Sequence, residues 1–125
     1  LSYGAIGNQV IQAAADLSED GIEIGHYNMR FAKPLDTELI DEVTEKYERI
    51  ITLENGTKNG GFGSAVAEYM VTKSDTIPVT IMGVPTRVVE HGTQDELYHE
   101  VGIDAHGVKE QVRELLRDEE TVKAK

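Results

Sequence analysis

Glu54-Asn55-Gly56-Thr57-Lys58-Asn59-Gly60-Gly61-Phe62-Gly63-Ser64-Ala65-Val66-Ala67 is the stretch that decides the fold. It follows Arg49-Ile50-Ile51-Thr52-Leu53, a short apolar run with the length and β-branched content of a buried strand. It passes into Phe62, Ala65, Val66, Tyr69 and Met70, which recur at i, i+3, i+4, i+7 and i+8. That spacing puts one apolar stripe on a helix. An acidic residue therefore closes a strand, and a glycine-rich turn opens the helix that follows. In open α/β sheets, ligands meet the fold at the carboxyl ends of the strands. A second cluster, Pro85-Thr86-Arg87-Val88-Val89-Glu90-His91-Gly92, follows the next apolar run and is expected at the same edge.

Outward from this stretch, apolar runs alternate with helical periods. Toward the N-terminus, Ile6, Val10, Ala13, Ala14 and Leu17 define a helix that Gly21 is placed to stop. Ile22 to Tyr27 reads as a strand. Leu35 and Ile40 then bracket Asp36 as a hydrophobic staple around an N-cap, with Leu39, Ile40 and Val43 as the apolar face. Toward the C-terminus, Ile77 to Met82 reads as a strand with Pro78 near its start, where a missing donor costs least. Thr93-x-x-Glu96 is a capping box, and Gly102 is a natural stop for the short helix it opens. Asp104 caps a last helix with Val108, Val112, Leu115 and Leu116 on its apolar face. From Asp118 the residues are polar and aperiodic, so the expectation is a domain over 1–117 and a frayed tail over 118–125.

Strands that alternate with helices imply a mostly parallel sheet covered on both faces. The expected strands are Ile22–Tyr27, Arg49–Leu53 and Val79–Met82, parallel to one another, with Leu1–Tyr3 as a stub among them. A strand normally needs about 5–6 residues, so Leu1-Ser2-Tyr3-Gly4 reads as the last half of one, and the chain as a piece of a longer protein.

The bulk numbers exclude several function classes. A chain of 125 residues is one domain by length. Its 12 Lys+Arg stand against 23 Asp+Glu, a net charge of −11. That charge repels nucleic-acid backbones and anionic membranes. No run approaches the roughly 18 apolar residues of a membrane span. With no cysteine, disulfides, zinc-thiolate sites and thiol nucleophiles are all excluded. His26, His99 and His106 share no i, i+4 spacing that would set two ligands on one helix face, so no metal set is expected.

The residues that could carry chemistry are Arg30, Glu54, Asn55, Gly60, Gly61, Phe62, Gly63, Arg87, Glu90 and His91. The glycine-rich turn could cradle a phosphate on backbone N–H groups. It is no P-loop, because Gly56-Thr57-Lys58-Asn59-Gly60-Gly61 lacks the terminal Gly-Lys-Ser/Thr, and Gly61-Phe62-Gly63 lacks the third glycine of a dinucleotide fingerprint. The plainer reading is a tight turn with close helix–strand packing, in which at least one of Gly60, Gly61 and Gly63 needs positive φ or the space of a missing Cβ. Glu54 with Glu90 and His91 could form an acid/base set, or could fix two loops at a domain or subunit interface. Arg30 could clamp a phosphate or pair with an acid such as Glu54.

Taken in order, Leu1-Ser2-Tyr3-Gly4 with Gly7-Asn8, Asn28 to Asp36, Thr52-Leu53-Glu54-Asn55, Gly60 to Ala65, Arg87 with Glu90-His91-Gly92-Thr93, and Gly102 to Gly107 resemble the C-terminal domain of 1-deoxy-D-xylulose-5-phosphate synthases. These are thiamine-diphosphate enzymes related to transketolase. The resemblance implies a three-layer αβα sandwich of the transketolase C-terminal-domain type. Its sheet is mixed and five-stranded with an antiparallel first strand, here missing or truncated. It also implies that the intact protein is a cytoplasmic, magnesium- and thiamine-diphosphate-dependent transferase acting as a homodimer. Such an enzyme joins decarboxylated pyruvate to glyceraldehyde 3-phosphate, and its product feeds isoprenoid, thiamine and pyridoxal-phosphate synthesis. The family's cofactor, metal and catalytic residues lie in preceding domains and have no counterpart motif here. The ten residues above are then interface or loop-edge candidates, partnered by the preceding domains and a second subunit, with no nucleic-acid or membrane partner. The alternatives are a domain of transketolase or of a 2-oxoacid dehydrogenase β subunit, and a stand-alone phosphate-binding α/β module.

Overall fold

A computed structural model describes residues 1–30, 34–57, 60–85 and 92–124. In chain order the elements are β1 (Ser2–Tyr3), α1 (Gly7–Glu19), β2 (Asn28–Met29), α2 (Thr37–Lys46), β3 (Ile50–Thr57), α3 (Phe62–Val71), β4 (Val79–Val84), α4 (Gln94–Val101) and α5 (Ala105–Ala124). The strands form one sheet in the order β2-β1-β3-β4, and every pairing is parallel.

Alternation along the strands divides the core in two. On one face Leu53 and Met82 pack with Ile6, Val10 and Ala13 beside α5's Val108. On the other, Met29 and Ile50 pack with Ile40 and Val43 of α2 and with Phe62, Val66 and Met70 of α3. Helices on both faces make the three-layer αβα sandwich expected from the sequence. Fully buried side chains such as Phe62 and Ile40 each contribute about 1.5–3 kcal/mol by leaving water.

Several local signals are realised. Asp36 accepts from Leu39 N at 3.1 Å, and Leu35 and Ile40 both pack on the α2–α3 cluster. Thr93 Oγ1 accepts from Glu96 N, and Asp104 Oδ1 from Gly107 N. Asp41 of α2 accepts from the Tyr69 hydroxyl at 2.7 Å and from Lys73 Nζ at 2.6 Å, which joins the two helices on one face. On the other, Lys109 and Arg113 of α5 reach Asp16 and Asp20 beside α1.

Three expectations are corrected. Ile22–Tyr27 forms no ladder: the paired residues are Asn28 and Met29. The cause is register. Ser2 lies opposite Asn28 and Tyr3 opposite Met29, so the ladder with β1 falls on these two residues. The strand expected to end at Leu53 runs on to Thr57, with a shift of register against β4 between Leu53 and Thr57. The strand expected from Ile77 starts at Val79, although Pro78 still offers its carbonyl to Ile50 N at 3.0 Å. The helical backbone of α5 continues to Ala124, past Asp118 where the apolar pattern stops. The described sheet is four-stranded and all-parallel, so the antiparallel strand implied by the resemblance is not among the described elements.

Candidate functional site

Parallel strands bring their carboxyl ends to one edge, and Tyr3 lies in register with both Met29 and Glu54. Glu54 is the chemical centre of that edge. Ile50 and Thr52, four and two residues before it, face the α2–α3 side, and Glu54 shares that face. The start of α3 lies there as well. Glu54 is only 5% exposed, and its carboxylate spans the helix terminus. Oε1 accepts from Phe62 N at 3.1 Å and Oε2 from Gly63 N at 2.8 Å.

This contact answers a local need. The first N–H groups of a helix have no partner within it, and the terminus carries a partial positive charge. Gly61, the N-cap residue of α3, has no side chain to supply a bond. A carboxylate from the preceding strand supplies two. The shift of register after Leu53 lies just where the strand must release Glu54 toward the helix. Gly60, at φ +75°, adopts the left-handed turn that a glycine tolerates, and its N–H donates to Ser64 Oγ at 3.0 Å.

Gly63 answers a different need. A Cβ there would collide with Thr52 Oγ1 and approach Ile81 Cγ2 to 2.7 Å. The absence of a side chain lets α3 lie against β3 and β4. The expectation for the three glycines is met twice, by the conformation of Gly60 and by the packing of Gly63. Next to Gly63, Thr52 Oγ1 is a buried hydroxyl without a hydrogen-bond partner among the described residues. Phe62 stacks on Tyr3 with ring centroids 5.5 Å apart, fixing the helix start to the central strand.

Asn55 points to the other side of the edge. Its Nδ2 lies 3.4 Å from the Tyr98 hydroxyl, which also accepts from Gln94 Nε2 at 2.8 Å. These residues, with Val84, Gly92 and Leu97, line an open cavity of about 440 Å³ between β3, β4 and α4. The sequence reading did not single out Tyr98, Gln94 or Thr52. Tyr98 is 43 residues from Asn55, a separation with no local signal. Thr52 could have been found by alternation, which places a hydroxyl on an apolar face.

Arg30 directly follows β2, at the same edge as Glu54 but separated from it by β1. Two strand spacings are about 10 Å, too far for the ion pair considered from the sequence, and Arg30 is exposed. No such pair occurs among the described residues. Arg87, Glu90 and His91 lie outside the described residues, so their convergence on Glu54 stays an expectation. Among the described residues no group of three or more His, Cys, Asp or Glu is placed to hold a metal ion. No described helix is long and apolar enough to cross a membrane.

Two of the described histidines make local contacts. His26 Nε2 is 2.6 Å from Ser2 Oγ, and burial, then the nearby N-terminal charge, pulls its pKa below the usual 6.5. His99 Nδ1 meets Asp104 Oδ2 at 2.8 Å. Burial works against ionisation of Asp104, but the Gly107 N–H and His99 together hold its pKa below the ordinary carboxylate value. Chemically, then, the edge presents a carboxylate committed to two backbone donors, a neutral amide–phenol network and a stacked aromatic pair. Among the described residues, Phe62 N and Gly63 N are taken by that carboxylate and Gly60 N by Ser64 Oγ.

Residues 1–108 match a family model described as transketolase, C-terminal domain. The chain is 48% identical over 113 residues to a 1-deoxy-D-xylulose-5-phosphate synthase of Parabacteroides distasonis, covering 90% of this chain and 18% of that protein. It is 41% identical over 117 residues to the synthase of Aquifex aeolicus, covering 94% of this chain and 19% of that one. The chain thus spans about a fifth of the length of these curated relatives. Among solved structures, a chain described as a split-gene transketolase, inactive β4 tetramer, aligns with a TM-score of 0.82 at 31% identity. That alignment covers 90% of this chain and 37% of the other.

Proposed function

The chain belongs to the transketolase C-terminal domain family, and from that premise we propose that it is the C-terminal domain of a 1-deoxy-D-xylulose-5-phosphate synthase. In this reading it is a packing and dimer-forming unit of the enzyme and contributes no catalytic residue. The intact protein condenses pyruvate, after decarboxylation, with glyceraldehyde 3-phosphate. Thiamine diphosphate and magnesium are bound by its other domains, and it works as a cytoplasmic homodimer. Arg87, Glu90 and His91 join Glu54 and Asn55 in fixing loops against the preceding domain or the second subunit.

One observation carries the assignment of role: the Glu54 carboxylate already occupies the helix terminus that a phosphate would need. An anion entering there would have to displace a buried carboxylate from two charge-assisted hydrogen bonds, each worth about 1.5–3 kcal/mol. That counts against a stand-alone phosphate-binding module. The names of the curated relatives favour the synthase over a transketolase or a dehydrogenase β subunit.

A chimera tests the reading. This chain should replace the C-terminal domain of the Parabacteroides synthase with carboligation retained. A chimera that folds and dimerises but has lost turnover would refute it. Calorimetric titration of residues 1–125 with inorganic phosphate, and with thiamine diphosphate plus magnesium, should give no saturable heat. Saturable phosphate heat would restore the binding-module alternative. In the intact enzyme, His91→Ala should lower activity in step with dimer dissociation, and loss of turnover with an intact dimer would assign His91 to the chemistry.

A further inference from the structure

β4 stands at the end of the strand order, so among the described strands it has a neighbour on one side alone, β3. That pairing fixes which way each peptide faces. The Pro78 carbonyl accepts from Ile50 N at 3.0 Å, and Ile50 lies opposite Val79. In extended backbone a residue's N–H and C=O point to the same side, and the side alternates along the strand. Pro78, Thr80 and Met82 therefore face β3. Val79, Ile81 and Gly83 turn their N–H and C=O groups outward, and no described strand lies beyond them.

Edge strands are commonly blunted by charged side chains, above all Lys. Here Thr76 to Thr86 holds no charged residue, in a chain whose net charge is −11. Pro85 takes the next outward position after Gly83 and has no donor, which keeps the outward run short. The helix beside this edge adds apolar surface. Gly63 seats α3 against Ile81. Val71, which closes α3, is 82% exposed, more than any other described large hydrophobic residue.

We propose that β4 is a self-pairing edge. Two copies of this chain join β4 to β4, antiparallel about a twofold axis at Ile81, and their four-stranded sheets become one. This rests on the dimer-forming reading above and names the surface that serves it. The case for a second copy is complementarity. In an antiparallel pair, opposed residues exchange both N–H···O bonds at alternate positions. A twofold axis at Ile81 sets Ile81 opposite Ile81 and Val79 opposite Gly83. These are the three residues whose groups face outward. A twofold interface uses one patch twice, so the second strand matches the first in length and spacing by identity.

Charge points the same way. The excess of carboxylates would draw a basic partner to this chain, yet β4 offers such a partner none. An uncharged strand meets its like without burying an unpaired charge. Two copies of like net charge repel at long range, and salt screens that repulsion. The dimer should therefore tighten with added salt, where an interface built on ion pairs would loosen.

Sedimentation equilibrium of the 125-residue chain, from micromolar to millimolar concentration, reads the mass. Backbone hydrogen exchange by NMR reads the edge. A monomer–dimer equilibrium strengthened by salt is expected. Exchange at Val79 and Ile81 should slow as dimer forms, while Thr80, already turned to β3, stays unchanged. Val79→Pro deletes an outward N–H and no bond to β3. It should raise the dissociation constant by roughly 10–30-fold, the factor for one lost hydrogen bond from each copy. If that variant does not fold, exchange at Val79 and Ile81 decides alone. A chain that stays monomeric, a dimer with unchanged exchange at Val79 and Ile81, or a folded Val79→Pro chain of full dimer affinity would overturn the proposal. Protection of β4 that arises only in the chimera with the Parabacteroides synthase would give the edge to another domain, and would overturn it too. In each of these cases an active chimera would leave the domain assignment standing.

Discussion

Replacing Glu54 by glutamine keeps the size of the side chain and removes its charge. Glutamine has one acceptor oxygen where glutamate has two. Whichever of Phe62 N and Gly63 N retains the oxygen, the other meets an amide NH2, donor against donor. The loss is one charge-assisted hydrogen bond, about 1.5–3 kcal/mol. To it is added the interaction of a negative charge with the helix terminus, up to ~2 kcal/mol when partly buried. With Glu54 only 5% exposed, solvent screens little of this, and Glu54→Gln should destabilise by about 2–4 kcal/mol. For a domain of this size that is a fall of roughly 6–15 °C in midpoint. Urea titration followed by circular dichroism measures it, with an unchanged slope showing that stability alone has moved. Glu54→Ala should cost more, because both N–H groups lose their partner. It should also regain part of the loss in inorganic phosphate, which leaves the parent chain unmoved. A Glu54→Gln midpoint within about 0.5 kcal/mol of the parent, the range of ordinary surface changes, would refute the account.

Thr52→Val removes a buried hydroxyl with no described partner while keeping its shape. It should stabilise by about 1 kcal/mol in the same titration. Gly63→Ala places a methyl group against Thr52 and Ile81 and should destabilise by about 1–3 kcal/mol. The double variant Gly63→Ala with Thr52→Ala should recover part of that loss if the clash is its cause. Asp41 titrates below its ordinary 3.8 because of the Lys73 hydrogen bond and then the Tyr69 hydroxyl. A lowered folded-state pKa gives stability that is present above the unfolded value and lost as pH falls through the folded one. The stability gap between the parent and Asp41→Asn should therefore be flat near neutrality and close below about pH 3.8, as denaturant titrations across pH would show.

The helix signals were legible because they are local. Asp36, Thr93 and Asp104 each bond to a backbone N–H three residues on, so sequence spacing alone finds them. The glycine-rich turn was legible as a turn, since strand and helix periods meet there. That Glu54 itself occupies the helix terminus was not read, although alternation held the clue. Ile50, Thr52 and Glu54 share a face, and the helix that follows lies on it. Ile22–Tyr27 shows the limit of pattern reading. Its residues have the composition of a strand, but a strand exists only with a neighbour, and β1 pairs with Asn28 and Met29 instead. Arg30 and Glu54 failed as a pair because strand order, which set β1 between them, is a global property. The Tyr98 network depends on the same kind of long-range approach.

The two ends of the sheet differ in what they lack, and the difference bears on function. At the carboxyl end, where α/β folds bind their ligands, the helix terminus is supplied from within by Glu54. Asn55 and Gln94 are likewise joined to the Tyr98 hydroxyl. The described donors of that helix terminus are thus already taken. At the amino end, apolar groups from both layers line a cavity of about 410 Å³ in the middle of the sheet. Unmet needs mark where a protein interacts, because satisfying them stabilises the complex and leaving them costs the free state. Among the described residues the lining of that cavity includes Val10, Val43, Val108 and Val112, which suits aliphatic contact.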